Sequence, residues 1–199
     1  MQTTLHRLLR PALLAATLTV ALPANTANAA EVAGVHFDDK TSLAGSELVL
    51  NGAALLTRFM LKIYAIGLYL PRTVNSPEAI AGSSGPKRIQ ITTLRDLGAS
   101  EFADALVDGL KRNHSEAELA RLQPRIDDFR NTIVALKSTP AGSQIRLEWL
   151  PGSGTRLSIG NEARGKDIPG EDFYHALLRI WLGEKPVDTD LKKALLGKG

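Results

Sequence analysis

Two polar side chains interrupt an otherwise apolar segment and could bind a ligand. Residues 60–70 read MLKIYAIGLYL, with Lys62 and Tyr64 two positions apart. Alternate side chains of a β-strand project from one face, so this spacing predicts that the amine and the phenol lie together, roughly 7 Å apart. A buried phenol needs a hydrogen-bond partner, and a lysine in an apolar strand must reach water or meet an anion. The pair therefore predicts an anchor for an acidic ligand or, equally, a packed tyrosine beside a solvated lysine.

Arg58 is a third candidate for the same anchor, because an even number of positions separates it from Lys62 and Tyr64 and all three would share one face of a strand. If residues 58–64 form one straight strand, Arg58 lies roughly 20 Å from Tyr64. It would join the pair only if the chain bends between them.

One further pattern has the spacing of a phosphate-binding loop. Residues 160–166 carry its two glycines and its lysine. Such a loop requires Ser or Thr after the lysine to hold magnesium, followed by a helix. Asp167 takes the first place and Ile168-Pro169-Gly170 the second, so we predict no nucleotide site here.

Metal, thiol and paired-acid chemistry are not indicated either. The chain has no cysteine, and the histidines after residue 29 lack the paired spacing of metal ligands: His36, His114 and His175. His175 lies in an apolar helical pattern and is predicted to be a packed or surface residue. Adjacent acids such as Glu171 and Asp172 diverge on a helix, so they do not form a catalytic pair. The sequence predicts no metal and no other cofactor.

The N-terminus has the three parts of a secretory signal peptide. Arg7 and Arg10 precede an uncharged run, PALLAATLTVAL, and the small-residue sequence Ala27-Asn28-Ala29 follows. The apolar run is shorter than the roughly 20 residues that span a membrane, so it gives no stable anchor after cleavage. We predict a signal peptide over residues 1–29, export to the periplasm, and a single domain over residues 30–199.

The charge of this domain does not favour nucleic acid. The formal net charge of the whole chain is +3, and the predicted leader contains Arg7 and Arg10 but no acid. Without the leader, basic and acidic residues nearly balance, which removes the electrostatic reason for binding nucleic acid. The domain is long enough for a substantial core.

The order of predicted elements indicates the fold class. Strands are predicted at 32–37, 47–50, 60–70 and 87–93, with a turn at Asn51-Gly52 and a loop over 75–86. Four helices are predicted: one at 100–112, one that starts at Ser115 and is interrupted at Pro124, one at 170–182 and one at 188–196. A hairpin is predicted to join 145–150 to 156–159. This order favours an α+β fold with a mainly antiparallel sheet.

Three segments resemble the chalcone isomerase-like family. They are LVLNGAA at 48–54, KIYAIGLYL at 62–70 and LGEKPVD at 182–188. The resemblance runs from about residue 32 to 196. It implies an open-faced β-sandwich, in which a curved antiparallel sheet is backed by helices and a ligand cleft lies between the two layers.

The resemblance also implies where catalytic groups would lie. The isomerase closes a chalcone to a flavanone by adding a phenolate to an enone, with an arginine, hydroxyl groups and an amide around the reacting atoms. In this sequence those positions fall on Leu56, Tyr64, Phe102, Gly109 and Ile180. Four of them lack the polar group and one carries a bulkier phenol. Because a single preorganised polar contact can supply a hundredfold or more in rate, we predict no isomerase activity.

A second branch of the family binds fatty acids in the same cleft, using an arginine and a tyrosine on the carboxylate. Tyr64 corresponds to that tyrosine, and Arg58 or Lys62 would have to replace the arginine. The leading hypothesis is a periplasmic protein without isomerase activity that binds an apolar or fatty-acid-like ligand. The predicted ligand-binding residues are Tyr64, Lys62, Arg58, Leu56, Phe102 and Ile180.

Two alternatives remain open at this stage. One is an isomerase or other enzyme of the same fold that uses a different residue set, and the other is a non-catalytic scaffold that acts through a protein partner. An empty apolar cavity would favour ligand binding, a cluster of polar groups with shifted pKa values would favour an enzyme, and a closed cleft would favour a scaffold.

Overall fold

The computed structural model describes residues 30–198. The predicted signal peptide lies outside the described residues. No helix within the described part of the chain is both long and apolar enough to cross a membrane.

The domain contains blocks of strands and helices in the predicted order: strands first, then a pair of long helices, a hairpin and the closing helices. The strands are β1 (Ala30–Val32), β2 (Val35–Phe37), β3 (Lys40–Leu43), β4 (Ser46–Arg58), β5 (Leu61–Leu70), β6 (Lys87–Thr93), β7 (Leu97–Gly98), β8 (Ser138–Thr139), β9 (Gln144–Leu150), β10 (Gly154–Ile159) and β11 (Glu162–Ile168). The helices are α1 (Pro77–Ala81), α2 (Ala99–Asn113), α3 (Glu116–Val134), α4 (Glu171–Leu182) and α5 (Thr189–Leu195).

Seven of these strands form one antiparallel sheet, in the order β11-β10-β9-β6-β5-β4-β3. Side chains from β4, β5, β6, β9 and β10 pack with those of α2 to α5 in one continuous core between the sheet and the helices. The predicted α+β fold, an antiparallel sheet backed by helices, is confirmed.

Strand β5 lies inside the sheet, between β4 and β6, as its apolar sequence predicts. Its side chains alternate between two clusters. Ile66 and Leu68 belong to the main core under the helices, whereas Ala65 and Tyr69 pack on the opposite face with Phe37. Burial on both faces explains why this segment has no regular polar alternation.

The predicted turn at Asn51-Gly52 is wrong. Both residues lie inside β4, where α5 packs directly on the strand. A Cβ on Gly52 would lie 2.1 Å from the carbonyl oxygen of Ala194, so only glycine allows this approach. The buried Asn51 amide donates to the carbonyl of Leu195 at 2.7 Å and accepts from the backbone of Val74 at 2.7 Å. The pair is a docking point for the last helix.

The turn instead lies at Phe59 and Met60, between β4 and β5. Their φ values are 49° and 64°, in the left-handed region that two-residue hairpin turns require. Neither residue is the Gly, Asn or Asp that usually occupies such a turn, so the sequence carried no turn signal.

Helix α3 continues through Pro124, where an interruption was predicted. Proline in a helix interior costs about 3 kcal/mol. Leu122, Ile126, Phe129 and Ile133 keep helical spacing across it, and all four are buried in the main core. Their combined burial, at about 1.5–3 kcal/mol per side chain, exceeds the cost of the proline.

Several short elements at the margins were not predicted. The predicted strand at 32–37 is a tight hairpin of β1 and β2, the predicted loop at 75–86 contains α1, and β3 and β11 were missed. β11 is an edge strand with the polar sequence EARGKDI, so it shows no apolar alternation. It also contains most of the segment that resembled a phosphate loop. That segment is extended as the second strand of a hairpin and does not lead directly into a helix, since β11 continues to Ile168 and α4 begins at Glu171.

Candidate ligand-binding site

Tyr64 is the polar residue that β5 places deepest under the helices. It pairs with Leu56 of β4 on one side and with Thr93 of β6 on the other, and only 6 % of its surface is exposed. Its aromatic ring belongs to the main apolar core. The predicted burial of the phenol is confirmed.

The hydroxyl of Tyr64 has one hydrogen bond within residues 30–198. The indole Nε1 of Trp181 in α4 donates to the phenol oxygen at 2.9 Å. Burial raises the pKa of Tyr64 to about 12, and the nearby Arg58 charge only partly offsets this rise. The phenol is therefore protonated at neutral pH. Since its oxygen already accepts from Trp181, its own hydrogen is available to an acceptor.

Lys62 does not share a face with Tyr64, so that prediction is wrong. Leu56 pairs with Tyr64, but the next residue of β4, Thr57, pairs with Lys62, which leaves Ile63 as the extra residue of a β-bulge. A bulge shifts the alternation of side chains by one residue. As a result Ile63 packs against the core and Lys62 is exposed.

Arg58 lies closer to Tyr64 than the straight-strand estimate of about 20 Å, because the chain reverses at Phe59 and Met60. Arg58 is two residues from Leu56 on β4, so it is a diagonal neighbour of Tyr64 across the hairpin, at about 7–8 Å between Cα atoms. Its guanidinium is exposed at the surface and donates a hydrogen bond to the carbonyl of Val187. The chain thus has the bend on which a place for Arg58 near Tyr64 depended, and Arg58 lies at the level of the phenol.

The remaining predicted cleft residues fill the space between the sheet and the helices. Leu56 is 5 % exposed, Phe102 of α2 is 6 % exposed and Ile180 of α4 is 2 % exposed, and all three belong to the main core with Tyr64. We refer to these four residues as the closed cleft.

Gly109 shows how tightly this cleft is packed. A Cβ at this position of α2 would lie 2.7 Å from the Cγ2 atom of Ile180. The resemblance placed an amide of the isomerase at Gly109 and a hydroxyl at Ile180. In this chain Ile180 occupies the space that a side chain at position 109 would need, so the two replacements are complementary.

The segment 183–188, between α4 and α5, covers the end of the cleft beside Arg58. Besides the Arg58 bond to Val187, the Asn113 amide donates to the carbonyl of Lys185 at 2.9 Å and accepts from its backbone N–H at 2.9 Å. The Lys192 amine donates to the carbonyl of Gly183 at 2.8 Å. Three side chains from different elements therefore hold this covering segment through its backbone.

A separate surface cavity of about 300 Å³ lies between α1, α4 and α5. Its lining includes Ile80, Leu182, His175, Arg179 and Lys192, but none of the six predicted ligand-binding residues. His175 is half-buried, and burial lowers its pKa. This agrees with its prediction as a packed or surface residue.

The neighbouring acids Glu171 and Asp172 each bind a different cation. Glu171 accepts from the fully buried Lys87 at 2.9 Å, whereas Asp172 accepts from Arg125. The two side chains therefore diverge, as their adjacent positions on a helix predicted. Within the described residues, no three His, Asp or Glu side chains are arranged to hold a metal ion.

Two residues that matter at this site were missed in the sequence. Trp181 is the partner of Tyr64, and Asn113 holds the covering segment. Trp181 lay inside a uniformly apolar helix and Asn113 at the end of an amphipathic one. Neither position carried a signal, because each depends on a contact with an element distant in the chain.

Comparison with known proteins agrees with this architecture. A family described as chalcone isomerase-like matches residues 29–197. Among solved structures, the chain is similar to a fatty-acid-binding protein of Arabidopsis thaliana, with a TM-score of 0.60 and 18 % sequence identity over 82 % of this chain and 92 % of the plant chain. No curated protein matches the sequence. The match to nearly the whole described domain, together with the fold, shows that this chain belongs to the chalcone isomerase-like family.

Proposed function

We propose that this protein binds a long-chain amphiphile with an acidic head group between its sheet and its helices, and that it has no chalcone isomerase activity. The observation that carries the proposal is the Tyr64 hydroxyl. It is buried, protonated at neutral pH and, within residues 30–198, donates to no acceptor, while Arg58 lies diagonally across the hairpin.

This pair suits a carboxylate. A buried anion must be paired or fully hydrogen-bonded, because an isolated charge in an apolar interior is prohibitively costly. Tyr64 offers one donor and Arg58 offers a cation with several donors in a planar fork. The ability of the similar plant protein to bind fatty acids supports this choice of ligand class.

Ligand binding requires the closed cleft to open, because Leu56, Phe102 and Ile180 occupy the space that an acyl chain would take. The bond from Arg58 to Val187 supports a coupling between opening and ligand binding. A backbone carbonyl is an oxygen acceptor of the same kind as a carboxylate oxygen. We infer that the ligand head group replaces Val187 on Arg58 and releases the covering segment, so that the ligand selects an open state of the protein.

The absence of isomerase activity is inferred from the closed cleft. Among its residues only Tyr64 carries a polar group, and its raised pKa of about 12 makes it a poor base at neutral pH. Leu56, Phe102 and Ile180 offer nothing to stabilise a developing enolate. We expect the purified protein to leave chalcone cyclisation at its spontaneous rate, and a saturable rate that Tyr64→Phe abolishes would refute this.

The ligand proposal is tested by calorimetric titration with palmitate and with its methyl ester. A hydrogen bond to a charged group contributes about 1.5–3 kcal/mol, so Tyr64→Phe should weaken palmitate binding by roughly tenfold to a hundredfold and ester binding far less. The variant also leaves the Trp181 N–H without its acceptor. The matched control is therefore Tyr174→Phe, which removes another buried hydroxyl, one that donates to the carbonyl of Leu147 at 3.3 Å.

Tyr174→Phe should leave the ratio of acid to ester affinity unchanged. Equal losses for acid and ester in Tyr64→Phe would mean that Tyr64 only shapes the site. Absence of binding to either ligand by the wild type would reject ligand binding in this cleft.

We also propose that the chain is exported to the periplasm and cleaved after Ala29. The charged start, the short apolar run and Ala27-Asn28-Ala29 support this. Intact mass of the cell-derived protein tests it: a species that begins at Ala30 is expected, and a stable species that begins at Met1 would refute it.

A non-catalytic scaffold is the second candidate, and the closed cleft is the observation that favours it. Leu56, Tyr64, Phe102 and Ile180 are each at least nine-tenths buried by their neighbours. This candidate predicts no saturable binding of acid or ester and an unchanged fold in both tyrosine variants. The same titration therefore separates the two candidates.

A further inference from the structure

The tip of the β4–β5 hairpin exposes three large apolar side chains. Phe59 and Met60 are each 96 % exposed and Leu61 is 52 % exposed. These are the large apolar side chains that the described part of the chain leaves exposed, and they are consecutive. We refer to residues 59–61 as the apolar tip.

The tip extends beyond the rest of the sheet. On one side, β6 pairs with β5 only as far as Tyr64, and on the other, β3 pairs with β4 only from Ser46 to Val49. The last residues of the hairpin therefore have no neighbouring strand of the sheet on either side. Phe59 and Met60 project at the end of a narrow, two-stranded extension.

The conformation of the tip is unfavourable for the residues that form it. Phe59 and Met60 both have positive φ, which non-glycine residues with large side chains rarely adopt. Two other two-residue turns of the chain, Ala33-Gly34 and Ala44-Gly45, have the same backbone class but place glycine second. The apolar tip therefore combines local strain with exposed apolar surface, and neither contributes to the folded core.

Cations flank the tip. Arg58 precedes it and Lys62 follows it, both are exposed, and the sequence has no acidic residue between Glu47 and Glu78. Arg95 lies at the same edge, since the backbone N–H of Leu94 bonds to the carbonyl of Ile63 at 2.9 Å. Two acids lie in the same region, Asp96 next to Arg95 and Asp188 next to Val187, and each accepts hydrogen bonds from backbone N–H groups. The three cations outnumber these two acids, so the charge around the tip is complementary to an anionic surface.

We propose that the apolar tip docks this protein on an anionic lipid bilayer. Phe59, Met60 and Leu61 enter the boundary between head groups and acyl chains, and Lys62 contacts lipid phosphates. The size of the tip favours a bilayer over a protein: a stable protein interface takes roughly 20–30 residues from each side, whereas a bilayer needs only a few apolar side chains that reach about 5–10 Å into it. This proposal does not depend on the cleft binding a ligand.

The main test replaces the tip with a sequence that suits its backbone. The double variant Phe59→Asn with Met60→Gly carries the preferred residues of such a turn, so it should fold at least as stably as the wild type. We expect the wild type to co-sediment with phosphatidylglycerol vesicles and the double variant to bind at least tenfold more weakly. Ala44→Asn is the matched control, because it gives another hairpin turn an Asn-Gly pair and leaves the tip intact.

Two further readouts separate insertion from other contacts. Both native tryptophans are buried, so Phe59→Trp introduces the one exposed indole within the described residues, and its emission should shift to the blue with these vesicles. Lys62→Glu should weaken binding to phosphatidylglycerol vesicles, and high salt should do the same.

Equal vesicle binding by the wild type and the stably folded double variant would overturn the proposal. So would an unchanged indole emission from the Phe59→Trp variant, or a wild type that forms a dimer through the tip and ignores the vesicles. Vesicle binding by the wild type that is unaffected by palmitate would support bilayer docking on its own, whatever the outcome of the cleft titration.

Discussion

The two ends of the β4–β5 hairpin place apolar side chains in opposite environments. At the level of Tyr64 and Leu56, the strands lie beneath α2 and α4, and these two side chains are 6 % and 5 % exposed. Only a few residues away, Phe59 and Met60 are almost fully exposed. The helices, and not the apolarity of the strand, therefore decide which residues of this hairpin belong to the core.

The β-bulge at Ile63 marks the boundary between the two ends. It shifts the alternation, so Tyr64 faces the helices while Lys62 faces solvent. One extra residue thus separates the part of the hairpin that belongs to the cleft from the part that belongs to the tip.

Of two single truncations, the larger loss of stability is expected at Ile180 of α4, which lies in the main core with Leu56 and Tyr64, and the smaller at the tip. Ile180→Ala leaves a cavity in the closed cleft and should lower the free energy of unfolding by about 2–5 kcal/mol. Phe59→Ala removes a larger side chain from the tip and should change it by less than about 0.5 kcal/mol. Urea denaturation measures both. A comparable loss in Phe59→Ala would mean that the tip is covered in solution, which would contradict the comparison.

Ile180→Ala also tests where the acyl chain of the proposed ligand lies. If an acyl chain must displace Ile180, the cavity should strengthen palmitate binding while it weakens the fold. Unchanged or weaker binding in a folded Ile180→Ala protein would place the acyl chain elsewhere.

A moderate effect is expected from the contact between Gly109 and Ile180. Gly109→Ala should destabilise the protein by about 1–3 kcal/mol, because the new methyl group overlaps Ile180. In the Ile180→Ala background the same change should be neutral or stabilising, since alanine favours a helix over glycine by about 1 kcal/mol. A double-mutant cycle by urea denaturation measures this coupling. Additive effects would mean that the two helices do not meet as described.

The core and the element order were predictable because they follow from periodicity. The run at 60–70 predicted a central strand, and the helical pattern at 100–112 predicted the helix that the structure confirms as α2. What could not be predicted depends on single tertiary contacts. Asn51 and Gly52 have the composition of a turn, but α5 docks on them instead.

The site was also predicted only in part, because some of its contacts depend on tertiary structure. Tyr64 was identified because a phenol is conspicuous in an apolar strand, and the resemblance identified Leu56, Phe102 and Ile180 as its neighbours. The positions of Arg58 and Lys62 relative to Tyr64 were misjudged, because neither the turn at Phe59 nor the bulge at Ile63 leaves a pattern in the sequence.

A separate prediction concerns alkaline pH. Burial raises the pKa of Tyr64 and of Tyr69 to about 12 and also raises that of Tyr174, and these are the three tyrosines of the chain. Because the folded state holds these protons more tightly than the unfolded state, the stability they confer is present below about pH 10 and is lost as pH rises towards about 12. Absorbance titration should show tyrosinate only as the protein unfolds. Ionisation of a tyrosine in the folded protein near pH 10 would contradict its burial.

Native mass spectrometry can show whether the cleft binds a long-chain acid. The protein would be purified without lipid-stripping steps and then incubated with palmitate or its methyl ester. We predict one palmitate per chain in the wild type and in Tyr174→Phe, little ester complex, and a loss of the palmitate complex in Tyr64→Phe. Only the ligand-free mass in the wild type under both incubations would contradict the account.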